Sequence, residues 1–386
     1  MTTKPSVLDN FDDERILKVR RKTADYVRDE ALAKGDQWEL DGTIPHEDFR
    51  RLGELGLLGL SHPLEYGGTD LGPVASVVFA EELGRSTYGG LPEAVLIHTE
   101  MSSTHILHRG TPEQKRRYLP AMNRGDLICS VAVTEPQAGS DVAALATTAR
   151  RQGDGWVLNG VKTYVTNALY GDVFIVAART DPNAKSSRAI SLFAVERNTP
   201  GLSIRPMAKK HGMLSSDIAD LVFEDGLLPA DALVGEENRG FYGVMENFQN
   251  ERLILGAMSL GMGLAALDLT LGYLRSRKAF GGTLWDLQAN RHRVAFLSAR
   301  MKAVQTLVYD TARRSARGEE CVREVSMIKV LAGETLQDVT RACLQLHGGA
   351  GYHHGAAIER IGRDAGLMTI GGGATEVMLD EIAKRL

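Results

Sequence analysis

The sequence predicts a mainly helical α+β protein in which a helical domain is followed by a β-domain and then by a helical bundle. Three observations predict it. Residues 1 to about 125 read as helices. From about residue 127 the texture shortens to strand-length runs separated by Gly, Pro and Asn. From about residue 239 apolar residues return at helical spacing, as in Met245, Phe248, Leu255, Met258 and Met262. The expected domains are therefore residues 1–125, 126–236 and 237–386.

A chain of 386 residues exceeds one simple core. Its net charge of −4 gives no global basic field, which argues against nucleic acid as a partner. No run of about 18 apolar residues is present, so no membrane span is expected. Asp9, Asp12, Asp13 and Glu14 suit neither a secretory signal nor an Arg-rich transit peptide. Cys129, Cys321 and Cys343 are widely spaced and odd in number, without a metal or disulfide pattern. A cytoplasmic location is the expectation.

In the first domain, Tyr66-Gly67-Gly68-Thr69-Asp70 reads as a loop. Thr111-Pro112-Glu113-Gln114 reads as a helix start, with a Thr cap, Pro in the first turn and Gln closing a capping box. In the second, Trp156 to Leu158, Asn159-Gly160 and Val161 to Thr166 read as a hairpin, because Asn-Gly suits a tight two-residue turn. Further strands are expected at Val173 to Ala178, Ile190 to Val195, Leu202 to Ile204 and Leu221 to Glu224. In the third, helices are expected over 239–274, 284–317 and 320–346 and from about 374. Their length suggests a bundle that buries each helix on several sides.

The segment Cys129 to Asp141 carries the most chemistry. Val131 and Val133 alternate like a strand, Pro136 stiffens the chain, and Gly139 permits close backbone approach to a ligand. Thr134 and Ser140 add hydroxyls at the ends of the loop. The loop suits the lining of a flat, polar-edged cofactor, and equally an ordinary strand and turn. Gly261-Met262-Gly263-Leu264-Ala265-Ala266 matches a dinucleotide fingerprint, but it lies inside a helical pattern and follows no strand. Small residues there suit a close helix crossing. His347, His353 and His354 flank a Gly-rich loop without the partners a metal site needs, so no metal is expected. Arg275, Arg277 and Lys278 read either as a solvated helix end or as a pyrophosphate clamp. Glu251-Arg252, within a largely apolar helix, reads either as a structural ion pair or as a base whose pKa burial raises.

Together these pieces resemble the acyl-CoA dehydrogenase family. The matching segments are Val131 to Asp141, Lys162 to Asn167, Glu251-Arg252, Arg277 to Gly281, Gln288 and Leu344 to Gly349. They follow the family's order and spacing, and the resemblance spans residues 10 to 386. It implies an N-terminal helical domain, a central β-barrel-like domain and a C-terminal four-helix bundle. FAD would lie between the β-domain and the bundle, across a subunit interface. Val131, Val133, Thr134, Gly139 and Ser140 would line the flavin, with Tyr164 against the ring system and Thr166 at its edge. Arg277, Phe280 and Gln288 of a neighbouring subunit would hold the pyrophosphate and adenosine, with Gln345, Gly348 and Gly349 completing that end. Thr375 and Glu376 fall on the cofactor side. Ser140, Phe248, Arg252 and Gly372 fall on the substrate side.

The implied chemistry is α,β-dehydrogenation of an acyl thioester, bound to coenzyme A or to a carrier protein. A base takes the α proton and the β hydride passes to flavin N5. Electrons would leave to an electron-transfer flavoprotein, and the chain would form a homodimer or a tetramer. One position departs from the commonest pattern. Many relatives carry the base in a Tyr-Glu-Gly-Thr segment, where this chain has Ile370-Gly371-Gly372-Gly373 and no carboxylate. Isovaleryl and long-chain relatives carry it at the Glu of Glu-Arg, which is Glu251 here. A flavin-dependent monooxygenase or a nitroalkane-oxidase-like oxidase on the same fold is the alternative, and a non-catalytic scaffold is a third reading.

Overall fold

The structure, a computed structural model, describes residues 10–184 and 186–386; Asp9, among the N-terminal acids noted above, lies outside them. The N-terminal helices are α1 (Glu14–Tyr26), α2 (Leu32–Asp41), α3 (His46–Glu54), α4 (Pro73–Gly84), α5 (Gly90–Leu96), α6 (Ser103–Arg109) and α7 (Pro112–Arg124). A π-helical turn at Val27–Ala31 joins α1 to α2, and another at Ile97–Ser102 joins α5 to α6. Asp13 caps α1 by accepting from the Arg15 N–H, and Thr111 with Gln114 closes the expected capping box on α7. Helix α4 is buried from Val74 to Gly84, as suits a helix that is apolar nearly all round.

The middle of the chain is an eight-stranded sheet in the order β6-β7-β3-β2-β4-β5-β8, with β1 paired to β4 off that path. Its strands are β1 (Cys129–Ala132), β2 (Thr148–Gln152), β3 (Gly155–Thr166), β4 (Val173–Arg179), β5 (Ile190–Glu196), β6 (Leu202–Pro206), β7 (Ile218–Leu228) and β8 (Leu233–Val234). The barrel-like expectation is corrected here: no closed barrel forms. Among the described residues β6 and the two-residue β8 are edges that pair with one neighbour each, so the ends never meet. Phe174, Val176, Phe193, Val195, Leu158 and Phe223 fill a core that belongs to this sheet.

The expected hairpin at Asn159-Gly160 is also corrected. β3 runs straight through both residues, and the tight turn is Gly153-Asp154, between Gln152 and its partner Gly155. Asn159-Gly160 instead makes a bulge against β7, where the register shifts between Leu158 and Gly160. The Asn159 side chain there accepts from the Asp225 N–H at 2.9 Å and donates to the Asp225 carboxylate at 3.0 Å. A Cβ on Gly160 would come within 2.5 Å of the Thr147 hydroxyl, which explains the glycine without a turn.

The C-terminal part contains α8 (Gly240–Ser276), α9 (Gln288–Ala316), α10 (Val322–His347), α11 (Ala357–Ala365) and α12 (Thr375–Ala383), with α12 packed along α10. The pair β9 (Lys278–Ala279) and β10 (Gly282–Thr283) links α8 to α9. By length and composition α8 could cross a membrane, which the absence of an 18-residue apolar run did not suggest; 78% of its most apolar window is buried inside the protein. It crosses α4 at the Gly-rich stretch. A Cβ on Gly261 would lie 1.9 Å from the Glu81 carbonyl oxygen, and one on Gly84 would lie 2.4 Å from that of Met258. These glycines are there for close approach, not for a dinucleotide. One hydrophobic core consequently runs from Phe11, Val77 and Phe79 to Ile254, Met301, Ile328 and Met368, uniting the first and last parts of the chain.

Candidate active site

β1 runs into the loop that leads to Ser140. Val131, Val133 and Thr134 are half-buried, while Gly139 and Ser140 are exposed. Two fixings hold the loop. The Thr163 N–H donates to the Thr134 carbonyl at 2.9 Å, tying it to β3. The buried Lys162 ammonium donates to the Val133 carbonyl at 2.9 Å and to the buried Glu135 carboxylate at 2.7 Å. Glu135 also accepts from the Ala146 and Thr147 N–H groups at 2.7 and 2.9 Å. Burial pushes the Glu135 carboxyl up, but Lys162 and these donors outweigh it and hold the group below its usual range. Sequence reasoning did not single out this pair, whose members stand far apart in the chain.

On β3 the register shifts again between Lys162 and Val165. Tyr164 adopts a left-handed φ of 56°, and its side chain is presented to solvent at 63% exposure. Such a conformation is unfavourable for a bulky residue and persists only where the surrounding strand pairing imposes it. Thr166 is buried, and its hydroxyl donates to Glu93 Oε1 at 3.1 Å in this structure.

The other expected cofactor residues gather at the opposite end of the bundle. Tyr273 of α8 stacks on His347 of α10 with ring centroids 4.5 Å apart. That contact brings Arg277, Phe280 and Gln288 to the same end as Gln345, Gly348 and Gly349. Phe280 is 89% exposed, and the rest of this group faces solvent as well. His347 itself also bonds the Cys343 carbonyl at 2.9 Å, a structural role. At 1.5 Å per residue, Arg277 lies roughly 39 Å along α8 from Glu251. Among the described residues no hydrogen bond, ion pair or ring contact joins this group to Tyr164 or Thr166. Thr375 donates to Glu334 at 3.0 Å, and Glu376 is exposed.

Glu251 and Arg252 lie mid-helix on α8. Glu251 is 5% exposed and accepts one hydrogen bond, from Asn247 Nδ2 at 3.0 Å. Burial raises its pKa to about 7 against the opposing effects of Asn247 and Arg252. Arg252 is buried as well, and its Nε has no partner among the described residues. Burial pulls its guanidinium down despite Glu251. The guanidinium sits 5.6 Å from the centroid of Phe248.

Gly372 faces this helix with φ of 68°, and a Cβ there would lie 2.2 Å from Leu255 Cδ1 and 3.6 Å from Lys329 Cε. Leu255 therefore fills the space that a side chain at position 372 would enter. The Gly372 N–H makes no hydrogen bond among the described residues and is free to donate. Lys329, buried beside it, donates to the Met368 carbonyl at 2.6 Å, and burial lowers its pKa to about 8. The structure thus sets Arg252 beside Phe248 and Gly373, and Leu255 against Gly372, with Glu251 on the same helix. It adds Asn247, whose i−4 spacing from Glu251 was the available signal, and Lys329, for which the sequence held none.

The residues present suit a flavin dinucleotide. β1 and β3 are knit together where they present half-buried valines and a projecting aromatic ring, with Thr134 and Ser140 as a polar rim. A guanidinium, two amides and bare glycines at the far end suit a pyrophosphate and a nucleoside.

Comparison with known proteins agrees along the whole chain. Residues 13–126 match the acyl-CoA dehydrogenase N-terminal domain, residues 130–226 the middle domain and residues 238–386 the C-terminal domain. The chain is 34% identical over 368 residues to the long-chain specific mitochondrial acyl-CoA dehydrogenase of Rattus norvegicus, covering 95% of this chain and 85% of that protein. It is 33% identical over 363 residues to the mitochondrial isovaleryl-CoA dehydrogenase of Pongo abelii, covering 93% and 86%. The crystal structure of an acyl-CoA dehydrogenase from Geobacillus kaustophilus superposes with a TM-score of 0.92 at 36% identity, over 96% of this chain and 98% of that one. The chain therefore belongs to the acyl-CoA dehydrogenase family, FAD-dependent oxidoreductases that act on CH–CH bonds.

Proposed function

We propose that this protein converts an acyl thioester to its trans-2-enoyl thioester, with Glu251 as the base that removes the α proton. One observation carries the proposal: Glu251 is a buried carboxylate one helical turn before Leu255, the residue that packs against Gly372, and burial raises its pKa to about 7. In the reaction the α C–H bond breaks and its proton moves to Glu251. The β hydride leaves with its electron pair, and the C=C bond forms. FAD supplies the hydride acceptor. The Gly372 N–H, which makes no hydrogen bond among the described residues, would donate to the thioester oxygen as enolate-like charge develops there. Arg252 offsets the negative charge of the base before the transfer.

The cofactor site takes its two ends from two copies of the chain, which makes the working unit a homodimer or a dimer of dimers. Tyr164 and Thr166 of one copy serve the flavin, and Arg277, Phe280 and Gln288 of the other serve the nucleotide. An electron-transfer flavoprotein reoxidises the cofactor, in a reducing cytoplasm that suits the three buried thiols.

The test is anaerobic bleaching of the bound FAD with butyryl-, isovaleryl- and palmitoyl-CoA, for the natural protein and for Glu251→Gln. The natural protein bleaches with at least one thioester and releases an enoyl product, while Glu251→Gln stays yellow. Rapid oxidation of reduced flavin by oxygen, with no enoyl product, would assign the protein to the oxidase or monooxygenase chemistry instead.

A further inference from the structure

Glu251 is held from one side. Asn247, one helical turn earlier on α8, is saturated with bonds that leave its amide a single orientation. Its Oδ1 accepts from the Thr104 hydroxyl at 2.8 Å. Its Nδ2 donates to the Met101 carbonyl at 3.0 Å and to Glu251 Oε1 at 3.0 Å. The one proton of the Thr104 hydroxyl is shared between Asn247 Oδ1 and the Glu100 carbonyl, which lies 3.1 Å away. Asn250 adds a parallel link, donating to the Glu100 carbonyl at 3.0 Å. Both acceptor carbonyls lie in the π-helical turn Ile97–Ser102, which interrupts the helix of the first domain opposite α8. A π turn inside an α-helix changes which carbonyls the ladder uses, and such turns recur at functional sites.

We propose that Asn247, anchored by Met101 of this π turn and by Thr104 of the α6 helix that follows it, is a positioning residue that fixes the Glu251 carboxylate and favours its ionised form. The inference rests on Glu251 being the base. Its physical content is that one aimed N–H substitutes for the water that burial removes. An N–H donor stabilises a carboxylate over the carboxylic acid, so the bond opposes desolvation. Other charged and titratable groups surround the pair. Arg252 is on the same helix, with Glu381 and Arg385 near it at the C-terminal end of the chain. Lys329 approaches from α10. Glu100 on the π turn is a buried carboxyl that burial pushes up, satisfied by Ser76 at 2.9 Å and reached by Asn250 at 3.3 Å. His105 and His108 line a small cavity of about 80 Å³ behind Asn247, and burial lowers both. Among the described residues none of these donates a hydrogen bond to Glu251, so the role falls to Asn247.

The cavity dictates the choice of variant. Alanine at 247 would admit water, which could replace the lost donor. Leucine excludes it, and aspartate keeps the shape while replacing a donor with a like charge. The readout is the pH profile of anaerobic flavin reduction, using whichever of butyryl-, isovaleryl- or palmitoyl-CoA bleaches the natural protein. The base must be ionised, so a higher pKa moves the acid limb to higher pH. Asn247→Leu should move it up by about one pH unit, the worth of one hydrogen bond to a charge. Asn247→Asp should move it further, and Thr104→Val, which frees the Asn247 amide, should move it less in the same direction. Asn247→Gln should restore part of the shift. A residue that only packs α8 against the first domain would lower the melting temperature without moving the limb.

An acid limb unchanged in FAD-loaded Asn247→Leu overturns the proposal. Should that variant fail to fold, Asn247→Asp and Thr104→Val decide in its place, and unchanged limbs in both overturn it. Glu251→Gln run alongside separates the two readings. If it reduces flavin at full speed, the base assignment has failed. If it is inactive while the Asn247 and Thr104 variants behave as the natural protein, only the positioning role has failed.

Discussion

A glutamate placed at position 372 would collide with the side chain that now fills that space. Gly372 has φ of 68°, and a Cβ there would meet Leu255 Cδ1 at 2.2 Å. Holding a non-glycine residue in that left-handed conformation costs about 1–2 kcal/mol. Forcing the half-buried Leu255 side chain aside against the core it packs on costs about 1–3 kcal/mol more. Gly372→Glu should therefore destabilise the FAD-loaded protein by roughly 2–5 kcal/mol, and part of that cost should vanish when Leu255→Ala makes room. The assay is a double-mutant cycle by urea unfolding, with the FAD concentration held fixed. A coupling of about 1–3 kcal/mol between positions 372 and 255 is expected, well above the ~0.5 kcal/mol scatter of independent sites. The same cycle has a catalytic arm. In a Glu251→Gln background, Gly372→Glu should restore flavin reduction only when Leu255→Ala is also present. Additive stabilities, or restoration with Leu255 intact, would refute the claim that Leu255 fills the space a side chain at position 372 would enter.

Further outcomes follow from the same geometry. Flavin reduction should fall about tenfold per pH unit below pH 7, because Glu251 must be ionised and burial raises its pKa to about 7; stopped-flow rates across pH check this. That pKa exceeds the ordinary carboxylate value, so Glu251 favours the folded state at low pH and opposes it as pH rises toward 7. Glu251→Gln should accordingly be more stable than the natural protein at about pH 8, by at most roughly 3 kcal/mol, and the gain should disappear below about pH 4; denaturant melts at the two pH values decide it. Lys162→Met strands the buried Glu135 carboxylate and should cost about 3–5 kcal/mol at neutral pH, with loss of FAD during gel filtration. Arg277→Ala should weaken FAD retention about tenfold or more, read by equilibrium dialysis, without altering the acid limb of flavin reduction.

How much of this was legible in the sequence depended on the range of the interaction. The long helices of the last third follow from apolar spacing, because α8 is buried along most of its length and α10 along one face. The Thr111 box was readable because both its hydrogen bonds are local. Asn159-Gly160 misled because the dipeptide allows both a turn and a bulge, and the partner that decides, Asp225, lies on another strand. The Glu135–Lys162 pair and the Leu255–Gly372 contact were invisible for the same reason. Glu251 stood out as a charge in an apolar helix, yet whether it was a base or half of an ion pair turned on burial. Asn247 lay within reach of a reader, one turn from Glu251, but its second bond goes to Met101 in a π turn that no propensity announces, and its third to Thr104 in the helix after it.

The close crossing of α4 and α8 at Gly84 and Gly261 has a consequence for how the protein comes into being. The first helices complete their core only against a helix that begins at residue 240, after the entire sheet has been made. During synthesis the apolar sides of α4 must wait while more than a hundred further residues leave the ribosome. The sheet has its own core and can close first. The N-terminal helices are thus made first, yet their shared core is whole only once the bundle has been made. A waiting α4 is where chaperones would be expected to act, and where a slowed ribosome would cost most.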